Sequence, residues 1–227
     1  MKSVVVRTIS GAVFVAVMLL CLLTSSRLFG LLIAFMAFGM CYEYLTMPSK
    51  AGVKLGTTQH ILYSLSGVLY ILCGLAFMIV LAFRGGEFSG LLPLSFFLMI
   101  WASDVGAYCV GSTLGQAFHS RKMAPKISPN KTWAGFIGGL VFCIIAAVIM
   151  QVTGLLKMPL YICIALGTVI HCTGVLGDLL ESAWKRRFGV KDSGNLIPGH
   201  GGLLARFDSS LLAFPAGTIL LLLLKLI

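Results

Sequence analysis

The sequence predicts an all-α protein: a polytopic integral membrane helical bundle, with about seven transmembrane helices and two functional cytoplasmic loops. Three observations carry this. Hydrophobic residues make up 59% of the chain and charged residues 11%, and mean hydropathy is +1.01, far from the values of a soluble domain. Apolar runs long enough to cross a bilayer recur along the sequence. The basic residues gather in alternate gaps between those runs, as the positive-inside rule requires.

The spans fall at about 8–24, 28–46, 61–83, 90–113, 133–152, 158–178 and 209–226. The first follows a basic start like that of a signal peptide. It has no convincing cleavage site and a second span follows at once, so it is expected to be a retained helix. Gly85-Gly86 marks the join between the third and fourth spans. With a cytoplasmic N-terminus, the inside segments hold Lys2, Arg7, Lys50, Lys54, Arg121, Lys122, Lys126, Lys131, Lys185, Arg186, Arg187, Lys191 and Arg206; the outside segments hold Arg27, Arg84, Lys157 and Lys225. Thirteen against four accounts for all 17 basic residues and orients the chain. The net charge of +10 therefore calls for no nucleic acid; anionic lipid and an anionic substrate explain it. The expected location is the cell's inner (plasma) membrane, crossed several times, with the polar loops in the cytoplasm. The seven cysteines all lie in spans and none forms a C-x-x-C pair, which predicts reduced thiols used in packing.

Residues 182–208, SAWKRRFGVKDSGNLIPGHGGLLARFD, form a long polar stretch in this apolar chain. Lys185, Arg186, Arg187, Lys191 and Arg206 stand beside Asp192 and Asp208, with His200 inside a PGHGG turn. Cations around a Gly-rich turn suit a polyanion, since fixed positive charge and backbone N–H groups both favour phosphate. Carboxylates among them would repel that anion unless a divalent cation lies between. Asp104, in WASDVGAYCVG, sits roughly 13 Å inside the fourth span at 1.5 Å per residue. A carboxylate there costs on the order of 2.5–3.5 kcal/mol, so it is expected to face a cavity or a partner. Asp178 closes the sixth span with Glu181 one turn on, a position that helix ending alone could explain, and Glu43, at the end of the second span, is the more ambiguous acid. His171 is expected to be a hydrogen-bonded packing residue. The stretch 121–139, RKMAPKISPNKTWAGFIGG, adds a second phosphate-binding candidate: Pro125 and Pro129 stiffen it, Lys126 and Lys131 supply charge, and Ser128, Asn130 and Thr132 supply polar groups. Gly135, Gly138 and Gly139 then allow close helix packing.

Taken together, these residues resemble a known family. Ser182-x-x-Lys185-Arg186, Lys191-Asp192-x-Gly194, Pro198-x-His200-Gly201-Gly202 and Arg206-x-Asp208 are similar to the signature of the phosphatidate cytidylyltransferases (CDP-diacylglycerol synthases). Ser103-Asp104, Pro125-Lys126-x-Ser128-Pro129-x-Lys131-Thr132 and Gly177-Asp178 resemble its preceding blocks. The likeness covers about residues 100–210 strongly and the first hundred in general character. It implies N-terminal membrane helices over 1–100 and a catalytic membrane region over 101–227, with loops 115–132 and 179–208. It also implies a reaction: CTP and phosphatidic acid give CDP-diacylglycerol and pyrophosphate. Within it, Asp178 and Asp208 would hold Mg²⁺, with or without a second cation. Lys185, Arg186, Lys191, His200 and Arg206, with the amides around Gly201 and Gly202, would face the triphosphate. Lys126, Ser128, Lys131 and Ser182 would bind substrate, and Asp104 would orient the polar cavity. Two departures from the pattern matter: Ala205 stands where an aspartate is expected, and Ala134 where an acid is common; Trp184, in place of an aliphatic residue, is a lesser third. Three other readings stay open: a catalytically impaired homologue, a polyprenol or other lipid kinase-like phosphotransferase, and an anion transporter. Assembly, monomeric or homodimeric, is open too.

Overall fold

Each apolar run becomes a helix. In the computed structural model, residues 2–117, 120–194, 196, 197 and 201–227 are described. They form α1 (Lys2–Leu23), α2 (Ser26–Lys50), α3 (Thr57–Ala82), α4 (Leu91–Ser112), the single turn α5 (Leu114–Ala117), α6 (Trp133–Val152), α7 (Leu160–Arg187) and α8 (Leu204–Leu223). Seven of these are long and apolar enough to cross a membrane, which bears out the predicted fold class. Local chemistry starts two of them. The Ser25 hydroxyl accepts from Leu28 N–H at 3.2 Å ahead of α2, and Thr132 Oγ1 accepts from Gly135 N–H at 3.1 Å ahead of α6, as N-caps do.

The bundle is built on two close pairs, α4 against α6 and α7 against α8. Glycine makes both possible. A Cβ at Gly139 would lie 2.9 Å from the Ser103 carbonyl, and one at Gly135 would lie 3.0 Å from the Ala107 carbonyl. On α7, a Cβ at Gly177 would collide with the Asp208 carbonyl. Packing without a hydrophobic driving force depends on such approaches. In α8, Pro215 deprives the Leu211 carbonyl of its helical donor, and Gly74 of α3 closes on that carbonyl. The outward faces stay apolar: Phe38 is 77% exposed while Leu22 is fully buried. All seven cysteines are free and lie in helices, as the sequence led one to expect.

Two connections differ from the expected loops. Residues 122–132 are a hairpin, β1 (Lys122–Ala124) and β2 (Ser128–Thr132), antiparallel with Lys122 opposite Thr132 and Ala124 opposite Ser128. Pro125 presets its turn, which closes through Ile127 N–H to the Ala124 carbonyl at 3.1 Å. The expected loop 179–208 is shorter at both ends, since α7 runs on to Arg187 and α8 begins at Leu204. Hydropathy ends at Asp178, but helical periodicity does not: Glu181 pairs with Lys185 one turn on, which supports the helix beyond the apolar run. Arg206 and Asp208 are thus in the first turns of α8. The described residues of the connections after α2, α4 and α7 share one end of the bundle, tied by Lys50 Nζ donating to the Ser193 carbonyl at 3.0 Å and Arg186 Nε to the Ile127 carbonyl at 3.2 Å.

Candidate active site

Three helices and the hairpin bring polar groups together at that end. Lys131 of β2 pairs with Asp178 of α7 at 2.6 Å, and Ser182, one turn on, donates to the other Asp178 oxygen at 3.3 Å. Asp104 of α4 is close enough to interact electrostatically with Asp178, Lys131 and Arg206. Asp208 of α8 interacts in the same way with Asp178, Glu181 and Asp104. The Gly177–Asp208 approach is what draws the two carboxylate-bearing segments of α7 and α8 together. Asp104, Arg206 and Asp208 line a cavity of about 280 Å³, with Ala205, Trp101 and Phe14 in its wall. A larger apolar groove of about 520 Å³ runs between α1 and α2 and shares Phe14 and Ile197 with the first cavity.

The other expected residues are distributed unevenly. Lys185 is turned to the buried Glu181, and Arg186 to the hairpin. Ser128 opens β2. Lys126 in the hairpin turn and Lys191 after α7 are exposed. His200 lies outside the described residues. Ile197 and Gly201 bracket it, exchanging backbone hydrogen bonds at 2.9 and 3.1 Å, so the Gly201 amide already has a partner. Gly201 has φ +84, a conformation that favours glycine. Gly202 packs on Glu43 and Ser193. His171 is 1% exposed and shares a hydrogen bond with Ser103 Oγ at 2.8 Å, the packing role expected of it. Trp184 makes edge contacts with Tyr44 and Tyr70 at 4.9 and 5.3 Å between centroids.

One residue had little sequence signal. Glu43 of α2 is 1% exposed, and its carboxylate accepts from Leu203 N–H and Leu204 N–H, each at 2.9 Å, and from Ser193 Oγ at 3.4 Å. Its place at the end of a span marks it as an acid near the membrane, but its partners lie 150 to 161 positions away.

The donor set can be weighed against a divalent metal. Among the described residues, no three His, Cys, Asp or Glu side chains form a ready metal cage. Asp208 uses Oδ1 to accept from Ser209 N–H at 2.6 Å. Hard oxygen donors on adjoining helices fit Mg²⁺ that keeps waters and takes most ligands from substrate phosphates; they do not fit an ion held by protein alone.

A phosphatidate cytidylyltransferase of Bacillus subtilis is 48% identical over 118 residues, covering 52% of this chain and 42% of its own length. Proteins of the same name from Staphylococcus haemolyticus and Staphylococcus saprophyticus are 40% identical over 160 residues and 44% identical over 126; they cover 70% and 56% of this chain and 58% and 47% of their own lengths. The chain spans about half the length of the curated relatives it matches. A family model described as the cytidylyltransferase family matches residues 53–224, a range that takes in Asp104, Lys131, Asp178, Arg206 and Asp208. The chain belongs to the cytidylyltransferase family.

Proposed function

We propose that the protein transfers the cytidylyl group of CTP to phosphatidic acid, releasing pyrophosphate and leaving CDP-diacylglycerol in the membrane. The observation that carries this is the junction of two cavities: one that sets Asp104, Arg206 and Asp208 in a mainly apolar wall, and an apolar groove that meets it at Phe14 and Ile197. An anionic headgroup with acyl chains needs both surfaces in contact. The cytidine specificity rests on the family, and the lipid on the names of the relatives.

In this reaction an oxygen of the lipid phosphate attacks the α-phosphorus, and the bond from that phosphorus to the bridging oxygen of pyrophosphate breaks. The nucleophile is already an anion, so no strong base is required. The barrier is the approach of two polyanions, which calls for fixed cations and positioning. Arg206 faces the phosphates from α8, and Lys131 orients Asp178 from the hairpin. Lys185, Arg186 and Lys191 supply positive charge to the triphosphate, and the family signature assigns His200 and Gly201 to the same anion. Lys126, Ser128 and Ser182 contribute to holding substrate. Asp178 and Asp208 would hold Mg²⁺, which, when bound, neutralises phosphate charge and polarises the phosphoryl oxygens. The acyl chains lie along α1 and α2. The polar end faces the cytoplasm, supported by the thirteen-to-four distribution of basic residues.

Purified protein in detergent, given CTP, phosphatidic acid and Mg²⁺, should form CDP-diacylglycerol, and ATP should not replace CTP. ATP-dependent phosphorylation of a lipid alcohol would overturn the assignment in favour of a kinase. Ala205 favours one second reading, a homologue that binds these substrates and turns them over poorly.

A further inference from the structure

We propose that Glu43 is a positioning residue that fixes the first turn of α8, and with it Arg206 and Asp208, for nucleotide and metal binding. The proposal rests on the cytidylyltransferase reading above. Helix α8 has no side-chain cap of its own, because Leu203 stands at its N-cap position. The first amides of a helix lack intrahelical partners, and a negative group there is favoured by the helix dipole. Glu43 supplies that group from another helix. Each of its oxygens takes one amide, Oε1 from Leu203 and Oε2 from Leu204, both at 2.9 Å.

The fit around this carboxylate is close. A Cβ at Gly202 would lie 2.6 Å from Glu43 Oε2, and one at Gly194 would run into the carboxylate itself. The two glycines bound a pocket shaped to this one side chain. Lys50, two helical turns on in α2, donates to the Ser193 carbonyl at 3.0 Å, while the Ser193 hydroxyl reaches Glu43. Helix α2 therefore grips the loop after α7 at one residue twice, and the start of α8 besides. Arg206 and Asp208 follow Leu204 by two and four positions in the same helix, so any tilt of its first turn moves both. Glu43 and Lys50 lie outside the matched range 53–224. An amide could not replace the carboxylate: Gln offers one acceptor and turns an NH₂ toward the second N–H.

The test uses the full chain in detergent, unmodified and as Glu43→Gln, Glu43→Asp and Lys50→Met. Two readouts are taken: CTP turnover against Mg²⁺, CTP and phosphatidic acid, and hydrogen–deuterium exchange of peptides from 201–208 and from α3. For Glu43→Gln, the CTP and Mg²⁺ concentrations giving half-maximal rate should rise about tenfold, as for loss of a group that orients a metal ligand. The KM for phosphatidic acid should hold, and faster exchange should be confined to 201–208. Glu43→Asp, which keeps both acceptors, should recover part of the loss, and Lys50→Met should give a smaller shift of the same kind. A role in folding alone would lower the maximal rate with the folded fraction and leave both half-maximal concentrations unchanged; that result overturns the proposal, as does an Asp variant no better than Gln. If the unmodified chain does not turn over CTP, the functional reading fails by itself. Exchange then decides: unchanged protection of 201–208 in Glu43→Gln overturns the positioning role, and selective loss supports it.

Discussion

At Ala205 a methyl group lines the cavity that Asp104, Arg206 and Asp208 share. A carboxylate there would join two others facing the same space. The unmodified protein should therefore be slow, or need high Mg²⁺ or Mn²⁺. Ala205→Asp should lower the Mg²⁺ requirement by about tenfold, the usual scale for restoring a group at a metal site, with rate against Mg²⁺ as the measurement. Full activity at ordinary Mg²⁺, unchanged by the substitution, would remove position 205 from the metal site. Asp178→Asn and Asp208→Asn remove negative charge at nearly constant shape, and each should cut turnover by about a hundredfold or more. Asp178→Asn should also release Lys131, whose partner it is. Asp104 and Asp178 were readable as acids in or at the edge of apolar runs. Glu43 was visible in the same way, but its role was not, because chain order says nothing about which helix end an acid meets.

Helix boundaries were legible where the bilayer dictates them and obscure beyond it. Within a span, desolvation forces a long apolar run. Past Asp178 the same helix is held by the Glu181–Lys185 pair and by Trp184 in an aromatic cluster with Tyr44 and Tyr70, which leaves a periodic signal and no run. The hairpin escaped notice because Pro125 and Pro129 suggest an open loop, whereas Pro125 starts its turn. The glycines were read correctly as contact points, and their effect can be measured. Gly177→Val drives a side chain into the Asp208 carbonyl, and should cost about 1–3 kcal/mol, as overpacking does, and lower activity as α7 and α8 part. Gly30→Ala has nothing within 4 Å of the new Cβ and should leave stability unchanged or slightly raised. Thermal midpoints in detergent compare the two.

For the whole molecule, orientation can be tested at two exposed positions, Asp192 and Arg84, at opposite ends of the bundle. On a cysteine-free background, Asp192→Cys should react with an impermeant reagent only after permeabilisation, and Arg84→Cys should react in intact cells. The reverse pattern would invert the topology. The link from Glu43 to α8 also has a consequence in time. The carboxylate enters the membrane about 10 Å from the end of α2, and the amides it serves are 160 positions later. At the usual pace of about 5–20 residues per second, roughly 8–30 s of synthesis separate the two. Throughout that interval the early helices carry an acid with no mate. Ribosome-bound chains that stop short of Leu203 should thus remain loosely joined and open to membrane proteases, and resistance should come abruptly once the last helix has emerged.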